Sequence, residues 1–113
     1  MLTLNHSTRF YIPSKSNRAE IDSITFETWK NRTARLFSRL FGGCTSYQAV
    51  GHWAGESGLV SEDVTILESF GSEEAFTISR ETVIKWAENL RGLLAQESIA
   101  VQFDNVLTLV EEE

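Results

Sequence analysis

The run Gly51-His52-Trp53-Ala54-Gly55-Glu56-Ser57-Gly58, followed by Glu62-Asp63 and Glu68, is the densest concentration of reactive side chains in the sequence. An imidazole titrates near neutrality, so His52 is the natural general base. Glu56 or Glu62 would orient it across a hairpin. Gly51 and Gly55 would let a backbone approach closely or take positive φ. The same residues also suit a plain hairpin end, which needs glycines and leaves its carboxylates solvated. Arg9 and Tyr11 join the candidates because strand alternation puts them on one side of an early strand. A wall of Arg9, Tyr11, His52 and Gln102 is where a small anionic or polar ligand is expected to bind, with Arg9 as anion clamp and Tyr11 as proton donor.

Other chemistries find little support. His6, His52 and Cys44 are the only ligand candidates besides carboxylates, and no Cys-x-x-Cys or His-x-x-x-His spacing occurs, so no metal is expected. Cys44 follows a helix end, where the dipole raises a thiol pKa, and reads as a small buried hydrophobe. Gly42-Gly43 lies after a helix and lacks a following Lys-Ser/Thr, so it is no phosphate loop. Arg32, Arg35 and Arg39 form a basic strip on one helix face, which reads first as a solvated surface.

The elements that must hold these residues follow from periodicity. Thr8–Ile12 is a strand ended by Pro13. Ser14–Asp22 is a polar connection. Phe26, Trp29, Leu36, Phe37, Leu40 and Phe41 recur at helical spacing, which predicts a helix over Ile24–Phe41, capped by Ser23 or Thr25 and stopped by Gly42-Gly43. Cys44–Trp53 and Val60–Phe70 read as a hairpin joined by about six residues. Gly71–Thr77 reads as a loop, and Ser79 as the cap of a second helix whose stripe is Val83, Trp86, Ala87, Leu90 and Leu94. Ser98–Phe103 is a further strand. Asp104-Asn105 is either a turn into a short fifth strand, Val106–Val110, or a kink in one long strand.

The order β-α-β-β-α-β predicts an α+β, ferredoxin-like fold: a four-stranded antiparallel sheet with both helices on one face and a possible fifth strand. Phe10, Ile12, Val64, Ile66, Ile99, Val101 and Phe103 are expected to meet the helices. Arg9, Tyr11, Gln48, Val50, His52, Thr65, Leu67 and Gln102 would then lie on the uncovered face. Such a face is often buried against a second subunit or walls a pocket, so a homodimer is expected.

Composition bounds the rest. A chain of 113 residues, 42% hydrophobic, makes one domain with one modest core, residues 1–113. One cysteine excludes a disulfide scaffold. No apolar run approaches the ~20 residues of a membrane span, and no signal pattern opens the chain, so a cytoplasmic location is expected. Residues 1–56 carry a net +3 and residues 57–113 a net −9, giving −6 for the whole, which argues against nucleic-acid binding.

Phe41-Gly42-Gly43-Cys44-Thr45, the pair Gly51-x-Trp53, Glu62 after the Gly58 turn, and Gln96-Glu97-Ser98-Ile99 together form a pattern over Phe41–Val101. It resembles small bacterial α+β proteins of unknown function that share aromatic-Gly-x-Thr, Gly-x-Trp and Gln-x-Ser-Val/Ile motifs. The resemblance implies an α+β fold, makes Gly51 and Trp53 fold determinants, and brings no catalytic residue. The functional expectation is a small homo-oligomeric module that binds a partner protein or small polar ligand through its open sheet face. The alternative is a small cofactor-free enzyme, of lyase, isomerase or oxygenase type, with a pocket between sheet and partner subunit.

Overall fold

The computed structural model describes residues 1–15 and 20–112. Part of the polar connection therefore lies outside the described residues. Seven elements follow in order: β1 (His6–Pro13), α1 (Ser23–Phe41), β2 (Thr45–Gly55), β3 (Gly58–Gly71), α2 (Glu73–Leu93), β4 (Ser98–Phe103) and β5 (Val106–Glu111). All strands pair antiparallel in one sheet of order β2-β3-β1-β4-β5. The four-stranded ferredoxin-like sheet expected from the sequence is thus overturned in strand count and order. The cause is local: Asp104 takes φ 54, a left-handed conformation that a short polar side chain tolerates. The chain reverses there, and β5 pairs with β4 from Phe103↔Val106 to Ser98↔Glu111. Asp104 is held in place by its carboxylate, which accepts from the Ser7 N–H at 2.9 Å and from His6 Nδ1 at 2.8 Å.

Both helices close one core against one side of the sheet. Phe10, Ile12, Leu67, Ile99, Val101, Phe103 and Val110 from the strands join Phe37, Val83, Ala87 and Leu90 from the helices. Phe10 meets Phe37 edge to face at 6.0 Å, and Trp29 meets Trp86 the same way where the helices touch. The Trp86 indole N–H donates to buried Thr33 Oγ1 at 2.9 Å, so the helix contact carries no stranded donor.

Three boundaries differ from expectation. Asp22, not Ser23 or Thr25, caps α1, its side chain accepting from the Thr25 N–H at 2.9 Å. α2 starts seven residues earlier than the Ser79 cap implies: Ser72 caps it, Glu73 and Glu74 favour its N-terminus, and Ser79 is buried inside it. The β2–β3 hairpin needs only Glu56-Ser57 between the paired Gly55 and Gly58, the latter at φ 123.

The frame of β3 is also corrected. The register Arg9↔Glu68, Phe10↔Leu67, Tyr11↔Ile66 sends Thr65, Leu67 and Ser69 toward the helices. Val64 and Ile66 therefore lie on the open face, opposite to the sequence reading. β3 carries apolar residues at both parities, so alternation leaves its frame undetermined. Pairing with fully buried Phe10 decides it.

Candidate functional site

The open face is built from alternate residues of every strand. Tyr47, Ala49, Gly51 and Trp53 of β2 stand opposite Ile66, Val64, Glu62 and Val60 of β3. Arg9 and Tyr11 follow from β1, then Gln102 and Ala100 from β4, paired with Leu107 and Leu109 of β5. The sheet twists, so the far end of the β2–β3 hairpin and the β4–β5 pair become two walls of a concavity. Its volume is about 520 Å³, and Tyr11, Trp53, Glu62, Gln96, Leu107 and Leu109 are among its lining residues.

Local sequence explains the hollow. Gly51 pairs with Glu62 and puts no side chain above the sheet. A Cβ built there would meet nothing nearer than the Glu62 carbonyl oxygen at 3.9 Å, so the space is open rather than filled by a neighbour. Trp53 is 47% exposed, and Leu107 and Leu109 are more than half exposed. Gly51 and Trp53 therefore shape the open face rather than support the core, contrary to the role implied by the resemblance to the bacterial proteins.

The electrostatics of the face are uneven. Burial pushes the Glu62 carboxyl above its ordinary value, with Lys15 pulling it back down. A carboxylate held with less than its full hydration attracts a cation more strongly than one in bulk water. Arg9 donates through Nε to Glu68, and that hydrogen bond raises the guanidinium's pKa further. Its charge is already compensated, so Arg9 is a structural ion pair rather than a free anion clamp. Tyr47 is raised by burial and by the nearby Glu68 carboxylate. Tyr11 donates to Gln102 Oε1 at 3.0 Å, and Gln102 Nε2 donates to the Asp104 carbonyl at 2.9 Å.

Three of the four residues expected to form the binding wall share this face: Arg9, Tyr11 and Gln102. His52 stands at the other parity of its strand. It pairs with Ser61 in the ladder, one step out of phase with Gly51 and Trp53. Ser61 Oγ lies 2.6 Å from its Nδ1. His52 nevertheless lines the concavity together with Tyr11, whereas Arg9 and Gln102 are not among its lining residues. The expected contacts of Glu56 or Glu62 with the imidazole are replaced by that serine. Gln48, Val50, Thr65 and Leu67 likewise belong to the helix side, where Gln48 Nε2 donates to Thr65 Oγ1.

Sequence reading missed Trp53, Leu107 and Leu109 as walls. The signal available was in β5, where Val106, Leu107, Leu109 and Val110 are apolar at both parities although only Val110 is buried in the core. Cys44 is half-buried, and burial raises its thiol pKa, so it is no thiolate nucleophile. Among the described residues no group of three or more His, Cys, Asp or Glu is placed to hold a metal, and no helix is long and apolar enough to cross a membrane.

No family model and no curated protein is similar to the chain. Among solved structures, a phage SAM lyase in complex with S-methyl-5'-thioadenosine matches with a TM-score of 0.68 and 20% sequence identity, over 100% of this chain and 96% of its own. A phage SAM lyase in the apo state matches to the same degree. At that identity the similarity is one of fold alone.

Proposed function

We propose that the open-face concavity binds a sulfonium nucleoside of the S-adenosylmethionine type and that the protein cleaves it without a cofactor. The observation that carries this reading is the concavity itself, about 520 Å³, with aromatic rings and one poorly hydrated carboxylate on largely apolar walls. That volume lies within the range of small-molecule sites. The phage lyases of the same fold, one of them holding S-methyl-5'-thioadenosine, supply the substrate class.

The walls suit that chemistry. A flat nucleobase stacks on Trp53 or Tyr11, and a sulfonium is a cation that aromatic faces and Glu62 attract. In the cleavage the carbon–sulfur bond breaks with its electron pair going to sulfur, which leaves as a neutral thioether. The leaving group needs no proton. The carbon it leaves receives its electrons either from the substrate's own carboxylate, closing a ring, or from a neighbouring C–H bond as a base removes the proton. By the first route opposite charges cancel in the transition state, which apolar surroundings such as Val64, Ala100, Leu107 and Leu109 favour over water. The reaction then needs neither His52 nor a metal.

A second copy of the chain covering this face completes the proposal. Tyr47, Trp53, Leu107 and Leu109 are exposed apolar surface on one side of one sheet, the kind of patch that marks an interface. The module reading keeps the same face and the same second copy but no turnover. Incubating the purified protein with S-adenosylmethionine and separating the products chromatographically distinguishes them. The enzyme reading expects S-methyl-5'-thioadenosine to accumulate in proportion to protein. Binding of the nucleoside without product supports the module, and neither binding nor product refutes both.

A further inference from the structure

On the opposite side of the molecule, away from the sheet's open face, α1 and α2 border a shallow groove of about 700 Å³ lined by Asn31, Arg32, Ala34, Arg35, Ser38, Arg39 and Trp86. Among the described residues no acidic one lines it. The cations elsewhere on the helices have partners: Lys30 with Glu27, Lys85 with Glu81, Arg80 over the Phe103 ring, and Arg91 on the Gln96 carbonyl. Among the described residues Arg32, Arg35 and Arg39 make no salt bridge, although Arg32 lies 4.9 Å from the Trp29 ring centroid. Three like charges at steps of three and four along one helix repel one another, so their grouping is a cost to the isolated fold.

We propose that this groove docks an acidic amphipathic helix of a partner protein. The three arginines rise by roughly 4.5 and 6 Å along α1, the same steps that carboxylates at i, i+3 and i+7 make on another helix. Ala34 and Trp86 offer the apolar strip beside them. Trp86 is already anchored by its hydrogen bond to Thr33, so it presents a ring held in place rather than one that must be ordered on binding. Guanidinium forks pair with carboxylates bidentately and shed water more readily than ammonium groups do. A nucleic acid would meet the same arginines, but its sugar–phosphate backbone has no apolar face to set against Ala34 and Trp86. A second copy docking its acidic half here would be a head-to-tail contact, which propagates unless its rotation closes a ring.

The test uses a fluorescent synthetic helix about 18 residues long, with Glu at i, i+3 and i+7 and Leu on the adjoining stripe. Anisotropy is measured against the intact protein and against the triple variant Arg32→Glu, Arg35→Glu, Arg39→Glu. All three positions are exposed, and far-UV circular dichroism checks that the variant folds. The single variant Arg35→Glu serves if the triple does not. Saturable binding that weakens at least about tenfold between roughly 0.05 and 0.5 M salt, and is lost on charge reversal, supports the proposal. No binding, binding indifferent to the reversal, or stronger competition by a DNA duplex overturns it. So does salt-sensitive self-association abolished by the same variant, which would make a second copy the occupant.

Discussion

Gly51 stands directly across the β2–β3 ladder from Glu62, and the missing side chain leaves the carboxylate at the edge of an open hollow. A Cβ added at Gly51 meets no clash, because the nearest atom lies at 3.9 Å, and the hollow lies beyond it. The position therefore separates binding from stability.

Gly51→Leu is expected to keep or raise the melting temperature, since glycine inside a strand is less favourable than a residue with a side chain by roughly 0.5–1 kcal/mol. The same change fills the concavity. Nucleoside binding is expected to fall by at least about tenfold, the weight of one lost ligand contact of ~1.4 kcal/mol. Thermal unfolding and a binding titration on one preparation check both halves.

Glu62→Gln removes a carboxylate that burial disfavours in its ionised form. Its ionisation opposes folding above its raised pKa, and that opposition disappears as pH falls through it. The variant is therefore expected to be as stable as the parent at neutral pH, and to bind a sulfonium nucleoside more weakly. In the parent, affinity for the cation falls as acid protonates Glu62. In the variant that limb of the pH profile is absent.

Asp104 behaves in the opposite sense. The hydrogen bond from His6, then that from the Ser7 N–H, hold its carboxyl below the ordinary 3.8. Its contribution to stability is full above that ordinary value and is lost as pH falls through the depressed one. Urea unfolding midpoints measured from neutral pH into acid are expected to decline more shallowly in Asp104→Asn, which is itself less stable at neutral pH because the αL turn loses its charged acceptor.

Phe37 is fully buried and packs on Phe10 and Phe41. Phe37→Ala is expected to cost about 3–5 kcal/mol in urea unfolding, the range of large-to-small changes in a close-packed core. A loss under about 1 kcal/mol would mean that the helices do not close over β1 as described.

The helix stripes were legible because their 3–4 spacing is strong: Leu36, Phe37, Val83, Ala87 and Leu90 are all buried. The strand frames were less so. A strand apolar at one parity declares its face, as β4 does with Ile99, Val101 and Phe103, whereas β3 is apolar at both and takes its frame from Phe10 across the ladder. That half-step error carried His52 onto the wrong side. Arg9, Tyr11 and Gln102 share one face, as alternation implies, but only Tyr11 of the three lines the hollow, and the ion pair of Arg9 with Glu68 depends on register, which no local spacing reveals. The hollow between Trp53 and the β5 leucines arises from sheet twist and strand order, and neither is a property of any single segment.

The central claim is that a nucleoside sits in the hollow above Gly51. Isothermal titration of S-methyl-5'-thioadenosine into the parent protein and into folded Gly51→Leu tests it most directly. A saturable heat with the parent that disappears in the variant is predicted. No heat with the parent, or equal binding by the two proteins, would contradict it.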